Sequence, residues 1–174
     1  RTRDLRAAAH LAKAVLRTDG LPGFAEGLDL LKRLLEEYWV EVHPMLDPDD
    51  DNDPIFRVNT LESLSKVDTL KSARNMVIVS DPKAGTFTLR QYEIASGAVS
   101  APTGEDAEVP DINLIDAAFT NCDLEALTGT RDAAVECAAS VTAIRAIVSE
   151  QAGAAQAPDL NDLTKLMEEV RKVL

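Results

Sequence analysis

Residues 2–42 repeat apolar side chains at the three- and four-residue spacing of an amphipathic helix, and this pattern is interrupted only once. The interruption is Gly20-Leu21-Pro22. Glycine commonly ends a helix in the left-handed conformation, and proline is favoured at the first position of the next helix. Because the connection is so short, the two helices must lie side by side. The sequence therefore predicts an antiparallel helical hairpin, with helices over about 2–17 and 22–42.

The rest of the chain predicts five more helices, each introduced by a capping acid or by a proline at the first helical position. These helices begin near Pro54, Asp68, Asp111, Asp123 and Asp159. The helix that follows Asp123 is the longest and extends to about Gln151. Two β-prone runs, 76–79 and 86–89, flank a turn that contains proline and glycine, which predicts a small β-hairpin.

The predicted fold class is mainly all-α: an antiparallel bundle of about six to seven helices with one small β-hairpin. At 174 residues, the chain is expected to form a single domain, 1–174. Residues 96–110 are rich in Gly, Pro, Ser, Thr and acids, so they are expected to form an exposed loop. The first helix begins in mid-pattern without an evident cap. We therefore expect the domain to be truncated at its N-terminus and excised from a longer protein.

The longest predicted helix carries a seam of mostly small residues at heptad spacing. Its members are Leu127, Ala134, Val141 and Val148, with Thr130, Cys137 and Ile144 three positions after the first three. Such a seam suits close packing against another helix. An intramolecular neighbour is the favoured partner, and a coiled-coil partner is the alternative.

Charge is distributed unevenly along the chain. The net charge is −12, although residues 1–33 carry 7 Lys and Arg against 4 acids. An acidic protein lacks the basic footprint that nucleic-acid binding requires. The basic end is either a solvated surface or a means of orienting the domain toward a partner. We predict no nucleic-acid partner and, because no run of about 18 apolar residues occurs, no direct membrane insertion.

The segment 38–54 invites a metal-site interpretation because it combines a tryptophan, a histidine and five aspartates. Asp49, Asp51 and Asp53 alternate like the first ligands of a calcium loop. However, the glycine and the glutamate that such a loop needs are replaced by Pro54 and Thr60. The calcium interpretation is therefore the weaker alternative.

Catalytic motifs are also absent from the sequence. His43 lies near several aspartates, but no nucleophile elbow, phosphate-binding loop or dinucleotide fingerprint is present. His10 and the two cysteines do not complete a set at zinc-ligand spacing. The cysteines are expected to be small buried hydrophobes in a reducing compartment. We predict no catalytic residues, no metal site and no cofactor.

A structural interpretation of the same segment is favoured. Trp39 can anchor the acidic loop on the second helix, and Arg57 could reach back to Asp47 or Asp49. His43 precedes a proline, which disfavours helical geometry and ends the second helix. A loop held in this way can also serve as a recognition surface. The candidate residues for ordering the loop or binding a partner are Trp39, His43, Asp47, Asp49, Asp51 and Arg57.

The first 60 residues closely resemble one family. The resemblance is carried by Arg1-Thr2-Arg3-Asp4-Leu5-Arg6, Leu16-Arg17-Thr18-Asp19-Gly20-Leu21-Pro22-Gly23-Phe24, Gly27-Leu28, Leu34-Leu35-Glu36-Glu37-Tyr38-Trp39, Val42-His43-Pro44, Leu46-Asp47, the aspartate run and Arg57-Val58-Asn59. In these motifs the chain resembles the ImpA-related N-terminal domain of TssA-type proteins in bacterial type VI secretion.

This resemblance implies a non-enzymatic, largely helical domain in the cytoplasm of a Gram-negative bacterium. It implies baseplate, tube or sheath subunits of the secretion apparatus as partners. It also implies that the full-length protein forms homo-oligomers through C-terminal regions beyond this chain, so the chain itself is expected to be a monomer or weak dimer. The family contributes no catalytic residues.

Three functional hypotheses remain open from the sequence. The leading one is an interaction and assembly module that docks through the acidic loop or through the outer face of the first hairpin. The second is a metal-dependent enzyme or calcium-responsive domain that uses the acidic loop and His43. The third is a structural spacer domain.

Overall fold

The computed structural model describes residues 3–101 and 109–174. In these residues the chain forms eight α-helices and one two-stranded antiparallel sheet. In chain order they are α1 (Leu5–Thr18), α2 (Gly20–Tyr38), α3 (Ile55–Glu62), α4 (Val67–Arg74), β1 (Val77–Asp81), β2 (Gly85–Thr88), α5 (Leu89–Ala95), α6 (Ile112–Asn121), α7 (Leu124–Ala152) and α8 (Asn161–Val173). The prediction of a mainly α-helical bundle with one small β-hairpin is confirmed.

The hairpin of α1 and α2 forms around Gly20, whose φ of 67° is in the left-handed region that favours glycine. The two helices approach most closely where Gly27 faces Ala12. A Cβ atom added at Gly27 would lie 2.7 Å from both the Cα and the Cβ of Ala12. Glycine at this position therefore allows the two helix backbones to pack directly against each other.

The long helix α7 packs along α2 and also contacts α8. Five members of its heptad seam have no solvent exposure: Ala134, Cys137, Val141, Ile144 and Val148. The seam is thus used within the chain, as the intramolecular interpretation predicted. On the other side of the hairpin, α1 contacts α3 and α4, while the small sheet packs against α6 and α7.

The sheet pairs β1 with β2 in antiparallel register, with Val79 opposite Phe87 and Asp81 opposite Gly85. The side chain of Asp81 accepts hydrogen bonds from the backbone N–H groups of Lys83 and Ala84, which closes the turn. None of the helices in the described ranges has the length and apolar content needed to cross a membrane.

Two local expectations are wrong. Helix α1 does have a cap, because the carboxylate of Asp4 accepts a hydrogen bond from the N–H of Arg6 at 2.9 Å. Asp68 lies inside the first turn of α4 and does not cap it.

Helix α5 was not predicted, because Leu89 continued the apolar run of the second strand. Thr88 and Gln91 form a reciprocal capping box that ends the strand and starts this helix. Most of the predicted loop 96–110 lies outside the described residues, since these stop at residue 101 and resume at residue 109. Within the described part of that loop, Ser96 and Val109 are exposed.

The contact between Gly27 and Ala12 predicts opposite effects for two glycine substitutions. Gly27→Ala should lower the free energy of unfolding by about 1–3 kcal/mol, because its methyl group overlaps Ala12. Gly129→Ala is the matched control, since Gly129 lies within α7 and has no atom within 4 Å of an added Cβ. It should raise stability by up to about 1 kcal/mol through helix propensity. Urea unfolding of both variants measures the difference, and equal effects would contradict the close approach.

The cap of α1 predicts a pH-dependent contribution to stability. Hydrogen bonding by Arg6 lowers the pKa of Asp4 to about 2. Because the folded state prefers the ionised carboxylate, this contribution is complete above the ordinary pKa of 3.8 and is lost as the pH falls toward 2. Asp4→Asn keeps a capping side chain but removes the charge. Its stability deficit relative to the wild type should therefore shrink between pH 4 and pH 2.

Denaturant unfolding of the two proteins across that range measures the deficit, and an NMR titration of the Asp4 carboxyl group gives the pKa directly. A deficit that is unchanged at the acid end of the range would show that the charge of Asp4 does not stabilise the fold.

Candidate functional site

The centre of the candidate site is Arg57, a cationic side chain with no solvent exposure. Pro54, Arg57, Val58 and Leu61 are all buried, and their three- and four-residue spacing places them on the inner face of α3. The periodicity of the helix therefore directs a charged side chain into the core.

The guanidinium group of Arg57 donates to three backbone carbonyl oxygens near the end of α2. Its Nε donates to Pro44 at 2.7 Å, one Nη to Trp39 at 2.6 Å and the other Nη to Val42 at 2.7 Å. Carbonyl groups at a helix C-terminus lack partners within the helix and form the negative end of the helix dipole. The arginine places its positive charge at this end of α2. It donates to the carbonyl of Trp39, the C-cap residue, and to the carbonyls of Val42 and Pro44 in the segment that follows.

Burial lowers the pKa of Arg57 from its ordinary value, although an arginine side chain stays protonated in proteins. The expectation that Arg57 reaches back to Asp47 or Asp49 is wrong. In the described chain Arg57 forms no ion pair with either carboxylate, and both aspartates are exposed. The charge of Arg57 is balanced by backbone dipoles, so no carboxylate of the loop is needed to neutralise it.

The acidic loop, defined as Asp47–Asp53, is ordered by its own short-range hydrogen bonds. The carboxylate of Asp47 accepts from the N–H of Asp49 at 2.9 Å and starts a 3-10 turn over Pro48–Asp50. Asp51 follows with a φ of 49°, a conformation that aspartate tolerates. The carboxylate of Asp53 then accepts from the N–H of Ile55 at the start of α3. The backbone is thereby restrained while Asp49, Asp50 and Asp51 face solvent.

Trp39 connects this loop to the helices. Its ring lies 4.9 Å from the Cζ atom of Arg57, within the range of a cation–π contact. The half-buried side chain also lines an open cleft with the acidic loop and with Gln151 and Gln156 at the end of α7. We call this the acidic cleft. Within the described residues its lining includes no Lys, Arg or His, so it favours a basic ligand.

His43 contributes through its backbone. Its N–H donates to the carbonyl of Arg3 at 2.8 Å, and its carbonyl accepts from the N–H of Leu5 at 2.9 Å. This short parallel bridge ties the segment after α2 to the start of α1. The imidazole is exposed and, in the part of the chain that the structure describes, forms no hydrogen bond to a carboxylate.

The arrangement offers little support for metal or nucleophile chemistry. Across residues 3–101 and 109–174, no group of three or more His, Cys, Asp or Glu side chains is placed to hold a metal ion. Asp49, Asp51 and Asp53 therefore do not converge as the calcium alternative requires. Burial raises the pKa of the Cys137 thiol to about 12, so it is a poor source of thiolate.

Sequence reasoning missed two features of this region. The partners of Arg57 are backbone carbonyls, although its position in the apolar stripe of α3 already indicated that it faces inward. Phe56, the neighbouring residue, is 69% exposed and lines a separate groove with Pro44. The sequence did contain a signal for this exposure, because Phe56 does not belong to the apolar stripe of α3.

The buried arginine predicts a large and specific stability loss. Arg57→Met should lower the free energy of unfolding by about 2–4 kcal/mol, because one buried and two partly buried hydrogen bonds to carbonyl groups are lost. Arg57→Lys keeps the charge but not the planar set of donors, so it should recover only part of this loss. Denaturant unfolding measures both variants.

Arg33→Met is the matched control, because Arg33 is exposed and its only ion pair among the described residues is with Glu37 on its own helix. Its effect should stay within about 0.5 kcal/mol. If Arg57→Met were as stable as this control, the three hydrogen bonds would not be important for the fold.

Comparison with known proteins identifies proteins similar to this chain in sequence and in fold. The family model for the N-terminal ImpA region of the type VI secretion system matches residues 1–66. The chain is 36% identical over 173 residues to the type VI secretion system component TssA1 of Pseudomonas aeruginosa. That match covers 99% of this chain and 49% of the relative, so the chain spans about half the length of the curated relative it matches.

A solved structure has the same fold. It is the N-terminal domain, including the conserved ImpA_N region, of the TssA component of the type VI secretion system from Burkholderia cenocepacia. The TM-score is 0.79 at 24% identity, and the match covers 99% of this chain and 70% of the other. The family resemblance predicted from the sequence motifs is thus confirmed: residues 1–66 match the ImpA N-terminal region of the type VI secretion system, and nearly the whole chain is similar to part of a TssA-type component.

Proposed function

We propose that this chain is a non-enzymatic interaction domain that serves the assembly of a bacterial type VI secretion apparatus in the cytoplasm. Its similarity to a named component of that apparatus supports the assembly role. The observation that carries the proposal is the acidic loop, which exposes several carboxylates on a backbone held by its own hydrogen bonds.

The acidic loop suits recognition because its conformation is established before binding. Asp47 and Asp53 use their carboxylates within the loop, whereas Asp49, Asp50 and Asp51 keep theirs exposed. A preorganised loop loses less conformational entropy when a partner binds. Exposed charges of one sign also steer a complementary partner and select against others. The expected partner surface is therefore basic.

The candidate partners are baseplate, tube or sheath subunits of the secretion apparatus. A basic surface on one of them would face the acidic loop, and an apolar or guanidinium group could enter the acidic cleft beside Trp39. The full-length protein is proposed to form homo-oligomers outside this chain. The domain would then be displayed in several copies, which would strengthen individually weak contacts.

Neutralising the exposed carboxylates of the loop tests this proposal. The triple variant Asp49→Asn, Asp50→Asn and Asp51→Asn should retain the wild-type melting temperature, because none of these side chains supports the core and asparagine tolerates the left-handed conformation at position 51. Capture of baseplate, tube or sheath subunits from a secretion-competent lysate should fall about tenfold, since each exposed charge pair contributes up to ~1 kcal/mol. Quantitative mass spectrometry of the retained proteins is the measurement.

A matched control removes three exposed acids elsewhere, with Glu26→Gln, Asp116→Asn and Glu136→Gln. It should leave capture unchanged. An equal loss in both triple variants would assign the effect to net charge. If the folded wild-type chain retained none of these subunits, the spacer hypothesis would replace this proposal.

A further inference from the structure

A second groove lies between α1 and α3, and its lining shares no residue with that of the acidic cleft. Its walls include Arg6, His10 and Lys13 of α1, Phe56 and Thr60 of α3, and Ser63, which directly follows α3. The groove has a cavity volume of about 510 Å³, which is within the range of ligand-binding pockets. We call it the basic groove.

The charge of this groove is opposite to that of the chain as a whole. Arg6, His10, Lys13 and Arg17 recur every three or four residues along α1, so they form one stripe, and α1 contains no acidic residue. The described lining of the groove includes no Asp or Glu, although the chain has a net charge of −12.

The stripe retains positive charge that nothing in the described fold neutralises. Arg6 is partly neutralised, since it pairs with Asp4 at 2.7 Å outside the groove lining. Lys13, in contrast, forms no ion pair with any acid among the described residues. The groove therefore presents at least one cation that is available to a ligand.

Phe56 adds an apolar contact point at the edge of this cationic surface. The fold does not bury its ring, which is 69% exposed, while Val58 and Leu61 of the same helix fill the core. Ala9 and Pro44 extend the apolar surface into the groove. Exposed aromatic residues beside charged groups are typical anchors of protein interfaces.

The hydroxyl groups in the groove are already used within α3. Thr60 donates to the carbonyl of Phe56 at 2.7 Å, and Ser63 donates to the carbonyl of Thr60 at 2.7 Å. These hydroxyls retain acceptor capacity but offer no free proton to a ligand. Recognition in the groove must therefore depend on the cations of α1 and on the apolar surface around Phe56.

We propose that the basic groove binds an acidic, amphipathic segment of a partner protein. The carboxylates of that segment would face Arg6 and Lys13, and one of its large apolar side chains would pack against Phe56. A nucleic acid fits less well, because its dense phosphate charge would be repelled by the acidic remainder of the chain. This inference rests on the proposed function, to which it adds a second surface and the chemistry of the partner.

Peptide selection tests this chemistry without any secretion protein. A phage-displayed library of random 16-residue peptides is selected on the intact chain, and a synthetic peptide of the enriched sequence is then titrated. The enriched peptides should combine several Asp or Glu residues with one or two large apolar residues. Lys13→Glu and Phe56→Ala should each weaken binding of that peptide at least about tenfold, and raising the salt concentration should weaken it further.

Two substitutions outside the groove are the matched controls. Lys165→Glu reverses a charge on α8, and Val67→Ala truncates another exposed apolar side chain, one that is 65% exposed. Both should bind the peptide like the wild type. All four variants should keep the wild-type melting temperature, because the changed side chains lie outside the core.

Three results would overturn the inference: no enriched peptide, enriched peptides without acidic residues, or equal binding by the groove variants and the wild type. Sedimentation of the chain alone tests a different occupant, namely the acidic loop of a second copy. Self-association that is abolished both by Lys13→Glu and by the triple loop variant would assign the groove to that copy and contradict a separate partner. Peptide binding combined with failed subunit capture would retain the groove and reject the proposed docking of secretion subunits.

Discussion

The hydrogen bonds of Arg57 to three carbonyl groups hold the region on which both proposed surfaces depend. One buried guanidinium joins α3 to the end of α2 and to Pro44 in the following segment. That segment is joined in turn to the start of α1 through the backbone of His43. The ends of three helices are thus connected. Without Arg57, the carbonyl groups at this junction would lose their hydrogen-bond donor, and an unsatisfied carbonyl group away from water is energetically costly.

This anchor explains how one small region can present two surfaces of opposite charge. Trp39, whose carbonyl accepts from Arg57, lines the acidic cleft, and Pro44, whose carbonyl also accepts from Arg57, lines the basic groove. Since backbone dipoles balance the charge of Arg57, no carboxylate of the loop forms an ion pair with it. Lys13 likewise forms no ion pair with any described acid, so both surfaces retain charge for recognition.

Much of the fold was predictable because it follows from local rules. Helical spacing, Gly20 and the capping aspartates Asp111 and Asp123 located the hairpin of α1 and α2, α6 and the long helix α7. The failures were local conflicts. Asp4 was overlooked as a cap, and α5 was missed because Leu89 extended a β-prone run although Thr88 and Gln91 carry a capping box.

The sequence by itself determined the helical hairpin, the fold class, the family and the list of candidate residues, because helical periodicity, turn chemistry and family motifs are all recorded in side-chain identity. Only the tertiary structure decided what Arg57 binds and which charges stay free. Its partners are backbone carbonyls 13 to 18 residues away, and a carbonyl is the same in every residue, so no sequence pattern reports it. The pairing of a basic face of α1 with an exposed Phe56 on α3 was likewise decided by packing between distant segments.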